Sequence, residues 1–242
     1  MANAAAETSA SSPNEPPLTA IAAGVWITAA PVRFLGLQMT STMTVLRLGD
    51  GGLLVHSPVP LTPERKAAVE ALGPVAHLYA PNTFHHLRIG DWAAAFPAAR
   101  LHAPSLLRKK RPDLKVDRIH GSGPEAAFAG VVDELPVEGF RLEESAVFHR
   151  PSRTLVVADL VHNAGRPTHA WTAFYTRVIG FHDRVAVSRV IQWTAFSDGA
   201  AARRSLDQIL ALPFDRIVLG HGQPLLEGAR EALAAAYRWL PA

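Results

Sequence analysis

From Leu18 onward, short apolar and β-branched runs alternate with stretches in which apolar residues recur at helical spacing. Residues 24–27, 43–48 and 52–57 read as strands, the last two joined by a turn at Gly49, Asp50 and Gly51. Thr62 followed by Pro63 is a helix start, and Gly73 followed by Pro74 its stop. Residues 75–79 are the next strand, which delivers the chain to a turn at Ala80, Pro81 and Asn82. Asp91 then caps a short helix ending at Pro97, residues 99–103 form a strand, and Ser105 opens a helix carrying Arg108 to Arg111.

In the second half, residues 146–149 and 154–160 flank Pro151 and Ser152 and read as a β-hairpin whose second strand runs out onto Asp159. Residues 165–197 are rich in aromatics and helical at their start. Asp198 caps a further helix, residues 216–222 form a buried strand ending on a glycine-flanked His221, and an amphipathic helix closes the chain. Residues 1–17 hold Ala, Ser, Pro and Glu with almost nothing large to bury, which predicts a flexible tail before one domain over 18–242.

Composition narrows the chemistry. At 242 residues and 48% hydrophobic, the chain can bury one sizeable core, and a net charge of +3 is too small to argue for a nucleic-acid partner. No apolar run reaches the length of a membrane span and no secretory signal is visible, so the expected setting is cytoplasmic, with no membrane partner. Cysteine is absent, so any metal must be held by His, Asp or Glu. His85 and His86, Asp159, and His221 all stand at strand ends, where an α/β sheet presents its chemistry. Imidazole and carboxylate together suit zinc, iron or manganese, and three or four of them around an open position make a metal-activated water. The plain alternative for each is a capping or packing role. His56, His102, His149 and His162 read as structural or as supports for the ligands, the run Arg108 to Arg111 as a solvated helix face, and the aromatics Trp171, Phe174, Tyr175, Phe181 and Trp193 as core ahead of a substrate box roofing the site, or as a dimer surface.

In order along the chain, "GGLLVHSP", "VAHLYAPNTFHHL", "TLVVADL" and "FDRIVLGHG" resemble the strand-and-turn motifs of the metallo-β-lactamase superfamily, and the chain further resembles a branch of it known only as a domain of unknown function. The resemblance implies a four-layer αββα sandwich of two mixed sheets, with a single doubly wound parallel sheet as second choice. It aligns His86 with the last His of the family's T-H-x-H-x-D-H turn and His85 with its Asp. Pro81 and Thr83 then take the places of the H-x-H pair, and His56 that of an acid in the preceding strand. The family's lone middle histidine has no counterpart, leaving Glu138, Glu143 or Glu144 as substitutes. One of the family's two metal sites is thereby lost, and the other keeps His86, Asp159 and His221, with His85 as a fourth ligand.

The implied function is hydrolysis of a small ester, thioester, lactone or phosphoester by water activated at one divalent transition metal, zinc first and iron or manganese next, with His85 and Asp159 as catalytic residues. The alternative is a binding or regulatory module with a decayed centre. A homodimer is compatible with both.

Overall fold

In a computed structural model of the protein, residues 17–241 are described. The expected tail therefore lies outside the described residues, apart from Pro17. The chain opens with β1 (Thr19–Ala22), β2 (Val25–Phe34), β3 (Leu37–Arg47) and β4 (Leu53–His56), continues through α1 (Pro63–Glu70), β5 (Val75–Tyr79), α2 (Ile89–Ala95), β6 (Arg100–Ala103) and α3 (Ser105–Lys110), and reaches β7 (Arg118–Ile119) and β8 (Val132–Pro136). The hairpin of β9 (Ser145–His149) and β10 (Thr154–Val156) follows, then α4 (Ala170–Ile179), α5 (Arg189–Thr194), α6 (Gly199–Leu210), β11 (Arg216–Val218) and α7 (Ala229–Ala236).

Strands β1 to β7 form one sheet in sequence order, antiparallel through β4 and parallel from β4 to β7. The second sheet runs β11-β10-β9-β8, with only β10 and β11 parallel. Both sheets are mixed, as the resemblance implied.

Side-chain alternation separates the layers. Leu53 and Val55, Leu78, and Leu101 and Ala103 pack against Val69 of α1, Ile89 and Trp92 of α2 and Leu107 of α3. Leu155 and Ile217 of the second sheet pack against Leu206 and Ile209 of α6 and Leu233 of α7. Between the sheets lie Leu46, Leu54, Tyr79, Val147, Val156 and Val218. Two sheets face to face with helices outside each is the four-layer sandwich.

Local signals place several elements where the sequence put them. The Thr62 side chain accepts from Arg65 N with Pro63 in the first turn, and Asp198 Oδ1 accepts from Ala201 N at 2.9 Å. Others shift. The helix α1 caps at Ala71, before Gly73; Asp91 sits in the first turn of α2, whose cap is Arg88; and regular pairing ends at Val156 and Val218 rather than running on to residues 160 and 222. No helix among the described residues is long and apolar enough to cross a membrane.

Alternation also places His56, His77 and His102 in the inter-sheet layer, on the side of their strands opposite the helix-facing residues. They form a buried polar belt with His120, whose ring stacks on Tyr79 at 4.4 Å, and with Glu134, which accepts from the Tyr79 hydroxyl at 2.8 Å. His77 Nδ1 and His102 Nε2 are 2.8 Å apart. His56 Nε2, His102 Nδ1 and both ring nitrogens of His120 are buried with no hydrogen-bond partner.

Candidate metal centre

Strand β5 belongs to the first sheet and the parallel pair β10 and β11 to the second, and the segments leaving their C-terminal ends meet. Asp159 follows β10 and His221 follows β11, and the two segments stay paired beyond the strands, with Val157 N donating to Val218 O and Gly220 N to Ala158 O. His85 arrives from the other sheet. Its Nε2 lies 3.2 Å from His221 Nε2 and 3.5 Å from Asp159 Oδ1, and His221 Nε2 lies 3.4 Å from the same Oδ1. Three donors each about 2.1 Å from one tetrahedral cation are separated by about 3.4 Å. The triangle fits a single metal ion, and it is the only such group of three or more His, Asp or Glu among the described residues.

Outer partners aim the ligand atoms. The His221 Nδ1–H donates to the Thr40 carbonyl at 2.7 Å, so the neutral ring turns its Nε2 lone pair toward Asp159. His85 Nδ1 is 2.7 Å from the Ser57 hydroxyl, which leaves Nε2 for the centre. Asn82, fully buried, holds the turn: its Oδ1 accepts from the backbone N–H groups of Phe84 and His85, both at 2.8 Å. Its Nδ2 donates to Asp159 Oδ2 at 2.9 Å and to Glu144 Oε2 at 2.8 Å.

Of the four predicted ligands, the structure brings together His85, Asp159 and His221. His86 is not among them. Its ring turns toward the C-terminal end of α3, where the capping residue Arg111 has its Nη1 3.3 Å from the His86 Nδ1, and the His86 Nε2 is buried without a partner. The Asn82-centred turn sends the first of the two adjacent rings to the centre, whereas alignment to the family motif favoured the second.

Glu144, one of the substitutes considered for the missing histidine, lies behind the centre and binds the backbone of residues 158–160. Glu143 instead accepts from Ser105 and Leu106 at the start of α3. His162, read as structural, approaches the centre: its Nε2 is 3.9 Å from Asp159 Oδ1 and its ring is parallel to His221 at 5.9 Å. His149 is a satisfied structural histidine, bonded to Ser152 and to the Arg47 carbonyl.

The electrostatics favour a cation. Burial opposes ionisation of Asp159, but the imidazoles of His85 and His221 on it hold its carboxyl well below the usual carboxylate range. Burial likewise disfavours a charged His221, and the Asp159 carboxylate outweighs this and raises its pKa. Burial lowers His162 to about 4, so this ring is neutral near pH 7.

Gly220 permits the close approach: a Cβ there would stand 2.7 Å from His85 Cε1 and 2.9 Å from the Ala158 backbone. Gly220→Ala is expected to push His85 off the triangle and weaken metal binding by about tenfold or more, as measured by competition against a chromophoric chelator. Unchanged affinity would show that the turn yields freely.

No protein-family model and no curated protein matches the sequence. Among solved structures, the chain is similar to a metallo-β-lactamase from Pontibacter korlensis, at 14% identity over 90% of this chain and 94% of that one, with a TM-score of 0.60. It is also similar to the metallo-β-lactamase FIM-1 from Pseudomonas aeruginosa in its mono-zinc form, at 14% identity over 90% and 92% with a TM-score of 0.61. A third likeness is to the metal-soaked Flv1 flavodiiron core from Synechocystis sp. PCC6803, at 14% identity over 92% of this chain and 60% of that one, with a TM-score of 0.65. The chain has the metallo-β-lactamase fold.

Proposed function

We propose that the protein is a metal-dependent hydrolase using one divalent transition metal, zinc first, bound by His85, Asp159 and His221. The observation that carries this reading is the convergence of three ligand atoms within 3.5 Å of one another, each aimed by a partner on its own residue. A divalent cation bound there supplies Lewis acidity and acidifies a coordinated water, which suits an ester, thioester, lactone or phosphoester of a small molecule. Asp159 brings the negative charge that offsets the cation, and Oδ2, held by Asn82, keeps Oδ1 directed at the two imidazoles. The ring of His221 has 18% of its side chain exposed, which gives access from outside. A recess of about 200 Å³ lined by Ile27, Ala30, Thr40, Thr42, Gly222 and Pro224 adjoins it. The mono-zinc form of FIM-1 supports a one-metal centre on this fold.

The test is elemental analysis of protein purified without a metal-affinity step, followed by a panel of nitrophenyl esters, a thioester, a lactone and a phosphodiester. One metal per chain is expected, lost in Asp159→Asn and in His221→Ala, with hydrolysis of at least one class depending on it. Two metals per chain would refute the one-metal centre. No metal under any loading condition would overturn the enzyme reading in favour of a binding or regulatory module.

A further inference from the structure

We infer that the tip of the β2–β3 hairpin and helix α4 together form a docking ledge for an anionic lipid surface. The expectation of no membrane contact rested on the lack of a spanning segment, and a peripheral ledge needs none. At the tip, Phe34 is 53% and Leu35 70% exposed. Along α4, Trp171, Phe174 and Val178 recur at helical spacing and are 47%, 56% and 52% exposed, while Thr172, Ala173 and Thr176 are buried on the other side. The aromatics expected to fill a core or a dimer surface thus divide, with Phe181 buried and Trp171 and Phe174 outside.

Hairpin tip and helix are one surface. Gln38 N donates to Thr172 Oγ1 at 2.9 Å, Trp171 Nε1 donates to Leu35 O at 3.3 Å, and the Trp171 and Phe174 rings stack at 5.7 Å. Arg189 at the start of α5 donates to the Val178 carbonyl at the end of α4, and the 75% exposed Trp193 stands one turn beyond Arg189 on the same side of α5.

Charge selects the occupant. Residues 165–197 hold four arginines and a single acid, Asp183, which is paired with Arg166, so this segment carries the whole +3 surplus of the chain. Residues 31–42 add Arg33 and no acid. A second copy docked by a two-fold axis would set arginine against arginine with only Asp183, already paired with Arg166, as a carboxylate in the segment. An anionic bilayer instead takes Trp, Phe and Leu into its interface, while arginines at the rim reach the headgroups. A helix of ten residues with one apolar face and a basic flank lies in that plane.

Flotation of the full chain with vesicles tests this. Binding is expected to phosphatidylglycerol-containing vesicles and not to pure phosphatidylcholine, with loss at high salt. The double variant Trp171→Glu, Phe174→Glu is expected to lower the bound fraction by about tenfold or more without change in metal content. Leu35→Glu, at the exposed tip, provides the same reading if the double variant fails to fold. No flotation, equal flotation with neutral vesicles, or undiminished binding by both variants would overturn the proposal. So would a wild-type dimer that these variants split while no vesicle binds, which would make the ledge a subunit interface.

Discussion

Replacing Glu144 by glutamine is expected to cost as much stability as replacing it by alanine, on the order of 3 kcal/mol, and to weaken metal binding with it. The reason lies in what surrounds the carboxylate, which is fully buried. Oε1 accepts from Ala158 N at 2.7 Å and Leu160 N at 3.4 Å, and Oε2 accepts from Asp159 N and Asn82 Nδ2, both at 2.8 Å. Every neighbour is a donor. A glutamine places an NH₂ against N–H groups, so the isosteric change is no milder than truncation. Burial and the Asp159 charge push the Glu144 pKa up to about 7, against the pull of those donors.

Glu144 acts as a positioning residue through Asn82, whose other contacts fix Asp159 Oδ2 and the backbone N–H of His85. Loss of this clamp should therefore be felt at two of the three ligands. Thermal melts and metal titration of Glu144→Gln and Glu144→Ala decide the matter. A glutamine variant that melts and binds metal like the wild type would show that the clamp is not needed.

How much of this was legible depended on how local the cause was. The strand β5 running into a Pro-Asn turn, the Thr62 and Asp198 caps, and the β9–β10 hairpin are set by residues within a few positions of each other, and the sequence marks them. The long pair of β2 and β3 was only half visible, because "LQMTSTMTV" mixes polar and apolar residues on a strand whose outer half is partly exposed. The short β7 and the polar β8 are edge strands, which carry little apolar signal.

At the centre, residue types and strand ends pointed to His85, His86, Asp159 and His221, of which the structure groups all but His86. Spacing against a family motif could not decide which of two adjacent rings turns inward. That choice is made by the Asn82 side chain, and Asn82 in turn is fixed by carboxylates 62 and 77 residues away in the chain. Glu144 has the same character: only the fold brings it beneath Asp159. Buried polar residues that act through long-range partners leave no periodic trace.

The apo protein is expected to lose stability steeply as pH falls from about 7 to about 5, because its inter-sheet imidazoles are held neutral. Burial is the leading cause for each. It lowers His56 to about 3 with help from His85 and His120, His102 to about 2 with help from His77 and Arg118, and His120 to about 4 against the opposing pull of Glu134. The unfolded chain binds a proton at each ring below about pH 6.5, and the folded chain does not until the lowered value is reached. Stability is thus fully present above about 6.5 and falls as pH drops through the window between the two values. At about pH 5 each ring contributes a loss of about 2 kcal/mol, on the order of 6 kcal/mol together, which is comparable to the whole stability of a domain.

The cost has a structural basis in ring nitrogens that lack partners. A proton on His56 Nε2, or a second proton on His120, would be buried beside the Tyr79 ring with no hydrogen-bond partner in place. Denaturant unfolding across this pH range, with chelator present so that metal release does not contribute, measures the slope. His120→Phe keeps the stacking surface against Tyr79 and removes one titrating group, so its slope should be shallower by about one proton. A wild-type slope near zero, or a His120→Phe slope equal to that of the wild type, would show that the belt already takes up protons in the folded state.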